Sequence, residues 1–154
     1  MVVWPPAEPL TFPLSLDAAE LLAQFDLVEP SYLPDGYTRE GIAHDPWSHE
    51  FIMRYVSMPD KGSILLYQGR GDLFHYPEMS PHVTPVIIGD GDGEFIQGDW
   101  MDESSGTPTW DETANVYSLS WQRDDIVFSI QYLGEETDPS RLLNDLLAIA
   151  RSIQ

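Results

Sequence analysis

Apolar positions recur along the chain with two different periods. Tyr117, Leu119 and Trp121 alternate with Ser118 and Ser120, and Phe128, Ile130 and Tyr132 alternate with Val127, Ser129 and Gln131. A period of two is that of a strand with one face in the core. Between these runs Arg123-Asp124-Asp125 predicts a hairpin turn. Together with turn residues at their borders, such runs predict strands over 37–43, 51–57, 64–68, 83–88, 94–98, 116–121 and 126–133. Pro34-Asp35-Gly36 predicts a turn before the first of them, because proline presets φ and glycine accepts a positive φ. Links this short favour antiparallel pairing, since parallel neighbours need long crossovers.

At two places the period lengthens to that of a helix. Over 16–25, Leu21, Leu22 and Phe25 with Leu16 or Ala18 form one stripe, and Asp17 with Glu20 three residues on has capping-box spacing. After Asp138-Pro139, an N-cap followed by proline, Leu142, Leu143, Leu146, Leu147, Ile149, Ala150 and Ile153 give a broad apolar face. Arg151 suits the negative end of that helix dipole. The expected fold is α+β: an antiparallel sheet of about six or seven strands with a short N-terminal helix and a longer C-terminal helix packed on it. Residues 1–14, with Pro5, Pro6, Pro9 and Pro13, read as a proline-rich arm, and 15–154 as a single domain.

Composition narrows the function classes. Of 154 residues, 26 are acidic and 7 basic, a formal net charge of -19. Such a chain gains nothing from counterion release on nucleic acid and is repelled by anionic membrane surfaces. The absence of cysteine excludes disulfides, thiolate zinc sites, iron–sulfur clusters and cysteine nucleophiles. No apolar run reaches the ~20 residues that span a bilayer, so membrane insertion of this segment is not expected. Met1-Val2-Val3-Trp4-Pro5-Pro6 lacks the basic region and apolar run of a signal peptide.

Candidate chemistry is sparse. His44 and His49 bracket a loop with Asp45 and Glu50, residue types that bind divalent ions, although proline between them prevents a helical pair. From Gly89 to Asn115 there are eight carboxylates and no base, beginning with Asp90, Asp92 and Glu94, which invites a calcium reading. The EF-hand frame fails, because Phe95 stands where glycine is needed, and a glycine-rich hairpin explains the same residues. Trp100 and Trp110 could stack on sugar rings or pin a loop. No Gly-x-Ser-x-Gly, phosphate-binding loop or dinucleotide fingerprint occurs, so the chain is not expected to be an enzyme. No cofactor is called for beyond calcium or another divalent cation.

Five motifs carry a family resemblance: Pro30-Ser31-Tyr32-Leu33-Pro34-Asp35-Gly36-Tyr37, Ser63-Ile64-Leu65-Leu66-Tyr67-Gln68-Gly69, Val86-Ile87-Ile88-Gly89-Asp90-Gly91, Leu119-Ser120-Trp121-Gln122-Arg123 and Leu146-Leu147-Ala148-Ile149-Ala150-Arg151-Ser152-Ile153. In their order and spacing over roughly residues 28–154, the chain resembles the bacterial domain-of-unknown-function (DUF) family 4367. More distantly it is similar to lipoprotein-carrier-like and PsbP/Mog1-like folds. The resemblance implies an extracytoplasmic, often membrane-anchored domain of lipoproteins or anti-sigma-like regulators. It carries no catalytic motif. The expected function is therefore a non-catalytic sensor or binding domain for a lipid, peptide or protein partner, with Tyr55, Tyr67, Trp121 and Tyr132 lining a groove. The alternative is a cation-binding or hydrolytic protein using the acidic loop or His44 and His49.

Overall fold

A computed structural model describes residues 11–46, 49–57, 62–71, 83–89, 91–101, 109–111, 116–134 and 138–153. The elements run α1 (Leu16–Ala23), β1 (Tyr37–His44), β2 (Phe51–Ser57), β3 (Gly62–Arg70), β4 (Val83–Ile88), β5 (Gly91–Gln97), β6 (Asp99–Met101), β7 (Thr109–Asp111), β8 (Val116–Arg123), β9 (Ile126–Gly134) and α2 (Pro139–Ser152). Seven strands form one antiparallel sheet in the order β1-β2-β3-β9-β8-β5-β4, and β6 and β7 form a separate two-stranded ladder. The fold is thus α+β, as the periodicity predicts. Two runs of sequential antiparallel neighbours, β1-β2-β3 and β4-β5-β8-β9, meet where β3 pairs with β9.

Registers show which side chains share a face. Met53, Leu66, Ile130 and Leu119 lie in one cross-strand row, and Tyr55, Ile64, Tyr132 and Tyr117 in the next. These residues are buried and share one core with Leu142, Leu146, Ile149, Ala150 and Ile153 of α2. That helix stripe recurs at three- and four-residue spacing, so one face of α2 covers one face of the sheet. Aromatic pairs reinforce the core: Trp121 stacks on Phe128 with centroids 5.2 Å apart, and Phe25 meets Phe51 edge-on at 6.1 Å. The opposite face carries Ser118, Ser120, Ser129, Gln131 and Tyr67, with Ser120 and Ser129 hydroxyls 3.0 Å apart.

The first helix differs from expectation in phase and cap. Its buried residue is Ala19, with Leu16 and Ala23 packed on the core, whereas Leu21 and Leu22 are 83% and 59% exposed. Small Ala19 lets the helix axis approach the sheet, which a leucine stripe would hold away. Ser15, rather than Asp17, is the N-cap: its Oγ accepts from the Ala18 N–H at 3.2 Å. Asp17 instead sits in the first turn, where its charge faces the positive end of the dipole. Leu14 bridges to Ile42 on the outer edge of β1. That contact requires Gly41, since a Cβ there would lie on the Phe12 carbonyl oxygen and 2.9 Å from the Phe12 Cβ.

Candidate functional site

At one end of the sheet the strands leave an opening beneath α2. There the start of β1, the end of β2, the start of β3 and the end of β9 face the first half of α2 and the strap before β1. They enclose a cavity of about 1110 Å³. Beneath it lie Ile64 and Tyr132 from the sheet with Leu142, Leu146 and Ile149 from the helix, all buried in the core, so that the accessible lining is mainly polar. Asp35, Arg141 and Asp145 line it as the charged groups, and Tyr32 and Tyr37 add aromatic walls.

Local sequence positions each wall. The Tyr37 N–H donates to the Pro34 carbonyl at 3.2 Å, closing the turn in which Gly36 adopts φ 88°. This turn carries Asp35 to the cavity. Upstream, the strap is fastened to the end of α2. The Tyr32 N–H donates to the Ser152 Oγ, and the Ser31 hydroxyl donates to the Ser152 carbonyl, both at 3.2 Å. On α2, the Asp138 Oδ1 accepts from the Ser140 and Arg141 N–H groups at 3.1 and 3.3 Å, fixing the first turn. Four-residue spacing then sets Leu142 and Leu146 inward and puts Arg141 and Asp145 one position to the side. At Gly62 a Cβ would meet the Tyr132 hydroxyl oxygen at 3.0 Å, so glycine makes room for that phenol in the cavity wall.

The four residues expected to line a groove are divided by the sheet. Tyr55, Trp121 and Tyr132 are 3%, 4% and 7% exposed on the helix-covered face, and of these Tyr132 lines the cavity. Tyr67 lies on the opposite face, because it is one residue out of phase with Leu66 and Gln68; its hydroxyl lies 3.3 Å from the Gln131 Oε1. The four therefore do not form one groove. Burial pushes the Tyr55 phenol up to about 12, against a smaller lowering by Arg39. Burial also raises Tyr67, with Glu50 and Asp45 adding repulsion to its anion.

Of the expected metal ligands, the β1–β2 hairpin brings His44 and His49 together with ring centroids 6.4 Å apart. His44 also stacks on Phe51 at 4.6 Å. Asp92 and Glu94 belong to β5, a paired strand, and not to a loop that could wrap an ion. Asp90 lies outside the described residues. No group of three or more His, Asp or Glu side chains suited to a metal ion occurs among the described residues. Among those residues, too, no helix is long and apolar enough to cross a membrane.

The cavity residues Asp35, Tyr37, Arg141 and Asp145 are the ones that pattern reading passes over. Their signal is indirect: the Pro-Asp-Gly turn and the N-capped helix predict separate elements, and the topology alone brings them together. In comparisons with known proteins, no family model, curated protein or solved structure matches the chain.

Proposed function

We propose that the protein is a binding domain whose ligand, a lipid or other small amphipathic molecule, occupies the cavity under α2. The observation that carries this reading is the cavity itself: about 1110 Å³, walled by Tyr32, Tyr37 and Tyr132, with Asp35, Arg141 and Asp145 as its charged groups among the described residues. Ligand sites commonly combine concave aromatic and apolar walls with a small number of orienting polar groups. Packing of an alkyl or aryl body against Tyr32, Pro34 and Tyr37, the lining side chains that keep accessible apolar surface, supplies affinity, and the charged groups orient the head.

The test is an amide NMR titration with short-chain amphiphiles. Binding shifts resonances of Tyr37, Tyr132 and the first half of α2, and Asp145→Trp, which puts an indole over the cavity from α2, abolishes those shifts while the fold persists by circular dichroism. Shifts confined to other surfaces would remove the reading. The family resemblance supports an extracytoplasmic setting for this binding. Fractionation of producing cells checks that setting, and recovery only from the cytosol would overturn it.

A further inference from the structure

Resting on the cavity reading above, we propose that the ligand is an organic cation: a quaternary ammonium or protonated amine on an apolar body. Among the described residues, the charged ones lining the cavity are two carboxylates, Asp35 and Asp145, against one guanidinium, Arg141. Among the described residues, the aromatic ones lining it are Tyr32, Tyr37 and Tyr132. Tyrosine faces attract an ammonium through the ring quadrupole, and clusters of such rings are the usual receptors for alkylated ammonium groups. An anionic head would gain only Arg141 and would be opposed by both carboxylates. The whole chain works in the same direction, since a net charge of -19 raises the local concentration of cations around any concave opening. A metal ion is a poorer match for this site. Hard cations require a shell of oxygen ligands and remain strongly hydrated, whereas an alkylammonium sheds little hydration and gains from the tyrosine walls.

The experiment compares octyltrimethylammonium, octyl glucoside and octanoate, all below their micelle thresholds, by amide NMR titration of the whole chain. The expected result is that the cation binds tightest at Tyr37, Tyr132 and the first half of α2. Asp145→Asn weakens it roughly fivefold, the Coulomb effect of one partly solvated charge a few ångströms away, and Arg141→Gln tightens it by a similar factor. Asp92→Asn, two strands beyond β9, makes the same change in net charge and leaves the affinity unaltered. Equal affinity of all three amphiphiles at these residues would overturn the cation inference and leave the cavity reading intact. Preference for octanoate, with the effects of Asp145→Asn and Arg141→Gln reversed, would do the same. No shift at these residues with any probe would overturn both.

Discussion

Gln68 shows how one side chain can hold two layers together. It is fully buried on β3, where the alternation calls for an apolar residue. Its carboxamide donates to the Val28 carbonyl at 2.8 Å and accepts from the Val28 N–H at 2.9 Å. The amide thus stands in for a strand partner, satisfying the backbone of a segment that belongs to no strand. Gln68→Leu keeps the volume and strands both backbone groups, so it should cost roughly 2–4 kcal/mol, read as a lower urea midpoint at unchanged m. Tyr55 makes a pH-dependent contribution. Its folded value near 12 lies above the ordinary 10, so the folded state holds the phenolic proton more tightly. The stabilisation is complete below pH 10 and is lost as pH rises through about 12. Tyr55→Phe should therefore flatten the fall in stability across that interval, measured as urea midpoints of both proteins from pH 8 to 12. Parallel curves would show that Tyr55 ionises alike in both states. Sequence pattern expects Tyr55 to line a groove, whereas the fold buries it in the core, and a polar Gln68 inside a strand gives no hint of its partner 40 residues away.

At the scale of elements, legibility follows locality. The seven strands of the main sheet and α2 are all recoverable from periodicity, because each element shows its own apolar repeat and its own turn residues. Asp138 is recognisable as the cap of α2 for the same reason, and Asp138→Ala should lower stability by about 1 kcal/mol through the loss of two N–H partners. Strand order is less accessible, since placing β9 beside β3 depends on packing between distant segments. Of the stripe expected on α1, Leu16 and Phe25 pack on the core, whereas Leu21 and Leu22 face solvent because contact with the sheet selects Ala19. The β6–β7 ladder is missed because three-residue strands are too short to display a period. The edge of β1 provides a sharper test. Gly41 lies inside the strand expected over 37–43 with no special role, yet it admits Phe12 against the backbone and so lets Leu14 donate to Ile42 at 3.0 Å. Gly41→Ala should detach this segment from the edge, exposing the Leu14 amide to hydrogen exchange while the amides of β3 and β9 stay protected. Undiminished protection at Leu14 would mean that the arm can shift to accommodate a methyl group.

Across the whole molecule the surplus of negative charge competes with the interactions of its few bases. Arg39, Arg54 and Arg70 pair with Glu29, Glu40 and Asp125. Arg123 and Arg151 donate to the Ile153 and Ile87 carbonyls, tying the end of α2 to the sheet. Added salt acts on both sides of this balance. It weakens the three ion pairs, which are at least partly exposed and worth about 0–1 kcal/mol each. It also screens the mutual repulsion of a chain with a net charge of -19, whose second half carries more of the excess than its first. Repulsion should dominate, because it sums over all the surplus charges whereas three partly exposed pairs oppose it among the described residues. The melting temperature should therefore rise by a few degrees between about 10 and 200 mM sodium chloride, as the Debye length falls from roughly 30 to 7 Å, and then level off. The shape of the curve identifies the cause. Screening saturates once the Debye length is shorter than the spacing of surface charges, whereas exclusion of salt from apolar surface keeps growing toward molar concentrations. A melting temperature that fell over the first 200 mM would show instead that the arginine contacts outweigh the repulsion.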